Sequence, residues 1–360
     1  MRILHVISNL EVGGAEKMVV TIANASVNTG HTVGVCLLVN RGPLVSELDK
    51  RVELHELNRQ WRFDWKALKT FASLAKQYDL LHVHLKHNVK YVYVVNLLFG
   101  IPVPVLLHDH SAEVLVTGVP KTKLPFFVVW WLRKQHYLAV SEQLLHWAVV
   151  NFGLNPARAT WLGNAIACKP VAEVKKEESD VIKILLVSNF RRIKNIEFAV
   201  ELVAKMMKRE MKVTLDIVGK PLDRAYYDEI KNTIQVRGLS DKIQIREDVS
   251  DISMIIPAYT LGIHCSKAET GPLVLLEFMC GGLPFVAYSS GDVSIDVIKK
   301  YPKLIAKEFD VNDWINRIRY LFLNLKKYHG ELRTFVQMTY SHRRYNYRLN
   351  DIYKLILDAG

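Results

Sequence analysis

Short apolar runs alternate with helical stretches along nearly the whole chain, and this rhythm restricts the fold more than any other feature. "RILHVI" (2–7) leads through a glycine-containing turn into "AEKMVVTIANASVNTG". "HTVGVCLLV", a charged stretch, "DLLHVHL", a helix, "VPVLLHDH", another helix and "HYLAVS" follow. The apolar runs lack a clean in-and-out alternation, so both their faces are expected to be buried, as in parallel sheets covered by helices on each side. A second series starts near residue 183 with "KILLVSN", "NIEFAVELVAKMMKR" and "KVTLDIVG" and runs on through "KIQIRE", "LGIHC" and "LPFVAY". A chain of 360 residues has room for two such domains.

Between the series lies "ACKPVAEVKKEESDVIK" (167–183), polar, charged and without apolar periodicity. The expected division is a first domain over 1–166, a linker over 167–182 and a second domain over 183–340. A last amphipathic helix over 341–360, with Leu349, Ile352, Tyr353 and Ile356 on one side, is expected to return to the first domain. Two open α/β sheets would create a cleft at the C-terminal ends of their strands, where such folds bind ligands.

The start, "MRILHVISNL", lacks the length and cleavage end of a signal peptide. The most apolar region, Tyr91 to Leu107, is cut by Gly100, Pro102 and Pro104 and so reads as helix, turn and strand, not as a membrane span. Cys36, Cys168, Cys265 and Cys280 are scattered without a CxxC pair, which points to buried free thiols in a reducing compartment. "HVH" and "HDH" end different strands and lack a matching third ligand, so no metal is expected. The net charge of +12 favours anionic partners, while no compact nucleic-acid signature is present.

"HCSKAETGPLVLLEFMCGGLPFVA" (264–287) carries two acids eight residues apart. "LGIHC" reads as a strand, Ser266 to Gly271 as a loop, and "LVLLEFMCG" as a helix capped by Thr270 with Pro272 in its first turn. Glu269 then lies in a loop at a sheet edge and Glu277 about a turn into the helix, among Leu275, Leu276, Phe278 and Met279. The open N–H groups of that first turn, at Thr270, Gly271, Pro272 (which supplies none), Leu273 and Val274, form a phosphate-binding end. A carboxylate nearby can accept bonds from a sugar diol.

With that pair in place, the sequence resembles the retaining glycosyltransferases of family four, also grouped as glycosyl transferases group one, through their E-x7-E signature at Glu269 and Glu277. "GGAEK" (13–17), "VPVLLHDHS", "YLAVSE" with Ser141, "WLGNAI" with Asn164 and "VSNFRRIKNIEFAV" resemble further landmarks of that family, in order over roughly residues 1–300. The resemblance implies the GT-B fold, two Rossmann-like doubly wound domains facing each other across a cleft. It places Gly13 and Gly14, and less directly Glu16, over the donor diphosphate or the acceptor. It puts Lys194 and an arginine on the diphosphate. Arg191 matches a variant form of the motif, with Arg192 as the substitute and Ser188-Asn189 where a glycine commonly stands. It puts a histidine beside the transferred sugar, His108 or His110, of which His108 ends the apolar run directly; Asp109 would orient the acceptor or point outward. It assigns Glu269 to the sugar and diphosphate and Glu277 to the ribose. The chain departs from the usual pattern at Gly163-Asn164-Ala165, and at Glu269-Thr270-Gly271-Pro272, where many members carry Glu-Gly-Phe-Gly.

The implied activity is transfer of a hexosyl or N-acetylhexosaminyl group, with retention, from a UDP- or GDP-linked donor. The acceptor would be a glycan or lipid-linked glycan in cell-surface polysaccharide biosynthesis, and neither a cofactor nor a metal is implied. The leaving diphosphate gathers charge that fixed cations and helix N–H groups stabilise. A non-catalytic sugar- or nucleotide-binding scaffold and a nucleotide-sugar epimerase of the same fold remain the alternatives. "KTKLPFFVVWWLRKQHY" (121–137) is either an inward-packed helix or a surface for anionic membranes. The expected location is cytoplasmic, at the inner face of the plasma membrane if that surface is real.

Overall fold

The computed structural model describes residues 1–61, 63–111, 123–169, 180–249 and 251–358. It resolves into two compact units, Met1–Ala165 with Ser341–Gly360, and Ile166–Tyr340. Most of the expected linker lies outside the described residues, as do Lys121 and Thr122 of the aromatic stretch.

In the N-terminal unit the strands are β1 (Arg2–Ile7), β2 (Thr32–Leu37), β3 (Glu53–Glu56), β4 (Leu80–His84), β5 (Val105–Asp109), β6 (His136–Ala139) and β7 (Ala159–Trp161). They form one sheet in the order β3-β2-β1-β4-β5-β6-β7, with every pairing parallel. Burying both faces explains the unbroken apolar runs. Leu4, Val6, Leu81, Val83 and Leu107 pack on one face, and Ile7, Val33 and Val35 on the other. The apolar stretch at 91–107 is divided as its glycine dictates. The helix Lys86–Phe99 stops at Gly100, held at φ 55 in the left-handed region that glycine enters without a Cβ clash, and β5 begins five residues later. Among the described residues no helix is long and apolar enough to cross a membrane.

The C-terminal unit holds β8 (Ile182–Val187), β9 (Val213–Val218), β10 (Ile243–Arg246), β11 (Leu261–His264), β12 (Phe285–Tyr288) and β13 (Ile305–Ala306). Their order is β10-β9-β8-β11-β12-β13, again all parallel. Its core centres on Phe190, Phe278, Phe285 and Trp314. Both units are thus Rossmann-like α/β sheets of the GT-B kind. The short strands β3, β7 and β13 escape the sequence rhythm. They lie at the sheet edges; partial burial removes the continuous apolar signal from β3 and β7, and β13, though buried, is only two residues long.

Two expectations are corrected. Cys168 and Cys280 form a disulfide, so only Cys36 and Cys265 are free, both buried. The partners stand 112 residues apart, a separation at which sequence spacing carries no pairing signal. The helix Leu273–Cys280 has Pro272, not Thr270, at its N-cap position, and no side chain caps it.

The terminal helix His342–Asp358 belongs to the N-terminal unit and buries Tyr345, Leu349, Tyr353 and Ile356, while Ile352 is only partly buried. Asn350 meets His31 at 3.0 Å, and the Tyr353 hydroxyl lies 2.7 Å from His82 Nδ1.

Candidate functional site

In the C-terminal unit, β8 and β11 are neighbours, so the segments leaving their C-terminal ends emerge side by side. After β8 the chain passes Ser188 and Arg191 into a single tight turn, Arg192–Lys194. Asn195 follows in the left-handed region at φ 54, which asparagine tolerates, and the helix Ile196–Met207 begins. The segment after β11 is laced to this turn. Lys267 N donates to Ile193 O at 2.9 Å, and Ser290 Oγ donates to Ser266 O at 3.1 Å. Asp292 N donates to Thr270 O at 2.9 Å. Gly291 is required here: it sits at φ 75, and a Cβ would come within 2.8 Å of Thr270 O.

This lacing brings together two of the residues singled out in the sequence. Lys194 Nζ lies 2.5 Å from Glu269 Oε1, and His264 Nε2 lies 3.2 Å from the same oxygen. The side chains are 23% and 11% exposed for Lys194 and Glu269, so the pair is largely withdrawn from water. Burial alone would raise the Glu269 pKa. The Lys194 ammonium and His264 outweigh it and hold the carboxyl well below the usual range. Glu269 is therefore ionised at neutral pH, fit to fix a cation or accept hydroxyl hydrogens and unfit to donate a proton.

Close in the chain, the helix Leu273–Cys280 starts uncapped. Leu273 and Val274 are partly exposed, Pro272 and Thr270 are buried, and Gly271 is partly buried. Leu275 N donates to Pro272 O at 3.2 Å, while the N–H groups of Leu273 and Val274 come too early in the helix to have an acceptor within it, the arrangement that receives anions. Glu277 does not sit in an apolar pocket as its neighbours suggested. It is only partly buried, because it shares the helix with Leu273 and Val274 on the side away from Leu275, Leu276, Phe278 and Met279.

The two arginines differ. Arg192 is exposed and already paired with Glu229 at 2.6 Å. Arg191 is exposed and makes no ion pair among the described residues, leaving it the freer cation. Ser188 donates to Asn189 O at 3.2 Å, and Gly219 passes so close to Ser188 O that a Cβ there would lie 2.0 Å away.

In the N-terminal unit, Gly13 precedes the helix Gly14–Asn28 with extended backbone at φ −160, so the turn makes no left-handed demand. The Glu16 carboxylate lies over Gly13, where a Cβ would meet Oε2 at 2.2 Å. Ser141 caps the helix Glu142–Phe152 by accepting from Leu144 N at 3.2 Å. Asn164 is partly buried after β7. Asp109 neither points outward nor stands free. It is fully buried, 2.9 Å from Lys86 Nζ, and accepts from the Tyr137 hydroxyl at 2.5 Å and from Ser111.

His108 is fully buried and His110 partly so, and they do not stand alone. Strand pairing sets His5 beside His82 and His84 beside His108. Because strand side chains alternate, all five histidines fall on the face opposite Leu81, Val83 and Leu107. The observed contacts are His5 Nδ1 to His84 Nε2 at 3.0 Å, His82 Nε2 to His108 Nδ1 at 3.2 Å, and His84 Nδ1 to His110 Nε2 at 3.5 Å. Burial lowers each pKa, to about 3 for His5 and about 4 for His110, and well below 6.5 for His82, His84 and His108. All five are uncharged at neutral pH. Directly after His84, Leu85 is held at φ 68, costly for a branched residue.

The premise that "HVH" and "HDH" lack a third ligand is thereby corrected. The strands are adjacent, and β1 adds His5. The sequence assigns no role to His5 or His264, and it shows His82 and His84 only as a pair without a third ligand. The alternate-residue histidines were visible, but strand order alone brings them together.

Residues 12–169 match the sequence family described as Glycosyltransferase Family 4, and residues 171–331 match the family described as Glycosyl transferases group 1. An uncharacterized glycosyltransferase of Haemophilus influenzae is 21% identical over 282 residues, 77% of each chain. Among solved structures, Anabaena Alr3699/HepE in complex with UDP and glucose superposes with a TM-score of 0.80 at 15% identity, covering 98% of this chain and 99% of that one. A glycosyltransferase of Rickettsia africae gives 0.79 at 18% identity, covering 100% and 99%.

Proposed function

We propose, from the premise that this chain is a glycosyltransferase of the GT-B fold, that its C-terminal unit holds a nucleotide-sugar donor and that the sugar passes to a glycan or lipid-linked glycan with retention of configuration. The observation that carries this reading is the Lys194–Glu269 pair, 2.5 Å apart, in the same loop region as the uncapped start of the helix Leu273–Cys280. A nucleoside diphosphate leaving group gains negative charge as its bond to the sugar breaks. A fixed ammonium, the free Arg191 guanidinium and unpaired helix N–H groups stabilise that charge without reorganising. Glu269, held ionised, anchors Lys194 and accepts sugar hydroxyls. Glu277, partly exposed in the same helix, suits the ribose diol.

Retention by double displacement needs a free carboxylate as nucleophile. Glu269 is engaged by Lys194 and His264, and Asp109 by Lys86 and Tyr137. Attack by the acceptor on the face that the leaving group vacates, with the departing phosphate oxygen taking the proton, uses no such nucleophile. The protein's share is positioning and charge. A UDP-linked hexose is the first donor to test, since the Anabaena protein of the same fold was crystallised with UDP and glucose. A mass-spectrometric screen of UDP- and GDP-sugars against the purified protein tests the reading. Hydrolysis or transfer of one donor supports it, and intact donors throughout, with no nucleotide bound, refute it.

The acceptor reading extends to a membrane surface in polysaccharide biosynthesis. The short helix Phe126–Leu132 buries Val128 and Leu132 but exposes Phe126 (77%), Phe127 (54%) and Trp130 (52%), so it is not packed inward throughout. Exposed Lys123, Arg133 and Lys134 surround these rings, with Lys134 Nζ 4.1 Å from the Trp130 ring. Aromatics at headgroup level beside bases suit an anionic inner leaflet, each base adding about 1 kcal/mol. Flotation with anionic but not neutral vesicles, lost on changing Lys123 and Lys134 to glutamate, is the expected result. Equal behaviour with both vesicles removes the electrostatic account.

A further inference from the structure

We propose that His84, His108 and His110 form a three-imidazole site for a divalent transition-metal ion of the zinc type, at the C-terminal edge of β4 and β5. The site lies in the N-terminal unit, whereas the Lys194–Glu269 pair assigned to the donor belongs to the C-terminal unit.

The spacing is that of ligands. One nitrogen from each ring falls within 4.8 Å of the other two. A tetrahedral shell with metal–nitrogen bonds of about 2.0–2.1 Å puts its nitrogens about 3.3–3.4 Å apart. His84 Nδ1 and His110 Nε2, at 3.5 Å, already stand near that separation, which is the outer limit for a hydrogen bond. Small ring rotations bring the third nitrogen in. That nitrogen is His108 Nε2, which is buried and has no hydrogen-bond partner among the described residues. A bare polar atom in such a place costs about 1–3 kcal/mol, and a bound ion removes the cost.

The second nitrogens of His84 and His108 are held as metal-binding histidines require. His84 Nε2 lies 3.0 Å from His5 Nδ1. His108 Nδ1 lies 3.2 Å from His82 Nε2, and His82 Nδ1 meets the Tyr353 hydroxyl at 2.7 Å. One set of tautomers satisfies these three supporting contacts. His84 donates from Nε2 to His5, His108 donates from Nδ1 to His82, and His82 donates from Nδ1 to Tyr353. His84 Nδ1, His108 Nε2 and His110 Nε2 are then left with lone pairs.

Imidazole selects zinc, copper or nickel over magnesium or calcium. The nearby Asp109 carboxylate is already committed to Lys86 and Tyr137. His110, partly exposed beyond β5, gives the ion a route in and leaves a fourth position for water.

The test is direct metal binding by the full chain, so it fails or succeeds independently of donor chemistry. Chelator-stripped protein is titrated with Co2+, followed by its visible ligand-field absorption, and then with competing Zn2+, with Mg2+ as the control. The expected result is a tetrahedral Co2+ spectrum displaced by Zn2+ and unaffected by Mg2+. His110→Ala is expected to weaken Co2+ binding by about 100-fold or more. His82→Phe, which keeps all three ligands but removes a supporting bond, is expected to weaken it about 10–100-fold. Absence of a Zn2+-displaceable spectrum in the parent overturns the proposal, as does unchanged affinity in His110→Ala. Should His82→Phe fail to fold, the partly exposed His110 still decides the matter.

Discussion

The two sheets share a topology and each buries an ion pair near the C-terminal end of a strand, Lys86–Asp109 in the first and Lys194–Glu269 in the second, yet among the described residues only the N-terminal sheet adds a cluster of uncharged imidazoles. The N-terminal sheet gathers five uncharged imidazoles, four from β1, β4 and β5 and His110 just past the end of β5. The C-terminal sheet withdraws a charged pair, Lys194 and Glu269, with His264 alongside. An uncharged cluster tolerates burial through mutual hydrogen bonds and answers to protons and metal ions. A charged pair tolerates burial only through its partner and answers to the loss of either member or to an incoming anion.

Acid separates the two most strongly. The five N-terminal histidines have pKa values lowered on folding from 6.5, so the unfolded chain binds protons that the native chain does not. Their contribution to stability is complete above pH 6.5 and is lost as pH falls toward about 4 and below, each proton steepening the loss by about 1.4 kcal/mol per pH unit. Glu269 is also depressed on folding, from 4.5, so its contribution is intact above pH 4.5 and lost below it. Hydrogen exchange followed peptide by peptide from pH 7 to 4 is expected to show β4 and β5 loosening before β8 and β11. Simultaneous loosening, or the reverse order, would break the comparison.

Lys194→Ala is expected to cut transfer about 10²–10³-fold, as for loss of a group that stabilises transition-state charge. It also strands the Glu269 carboxylate, lowering stability by about 3 kcal/mol, the low end for a broken buried pair because Lys194 is partly exposed. Adding Glu269→Gln is expected to recover much of the stability and none of the activity, which thermal unfolding beside steady-state kinetics will show. Cys168→Ser removes the disulfide and is expected to cost the C-terminal unit about 2–4 kcal/mol, read from denaturant curves, while leaving exchange in β1, β4 and β5 unchanged. Glu277→Gln has the smallest expected effect, about 1.5–3 kcal/mol of nucleotide diphosphate affinity by calorimetry. Unchanged affinity would make Glu277 a surface residue of its helix and nothing more.

Much of this contrast was legible in the chain. Unbroken apolar runs disclosed the parallel sheets, and the spacing of Glu269 and Glu277 around a glycine-proline break disclosed the loop and helix. The Lys194 motif was equally plain, although its contact with Glu269 depends on β8 and β11 being neighbours, which local pattern does not encode. The histidines show the limit most clearly. Each sits at an ordinary strand position, and only the order β1-β4-β5 converts two dipeptide-spaced pairs and a distant His5 into one cluster. Glu277 stays partly exposed despite its apolar neighbours in sequence, because those neighbours project around the helix to different sides. The Cys168–Cys280 bond depends on where the chain enters the second unit, a feature of tertiary packing.

The central claim, that the Lys194–Glu269 region of the C-terminal unit receives the donor diphosphate, is tested most directly by calorimetric titration of uridine diphosphate into the parent and into Lys194→Ala, with circular dichroism verifying that both are folded. Removing a charge-assisted contact is expected to weaken binding by about 10–100-fold, with guanosine diphosphate as the alternative titrant if the parent does not take the uridine nucleotide. Equal affinity in parent and variant would contradict the claim and place the nucleotide elsewhere.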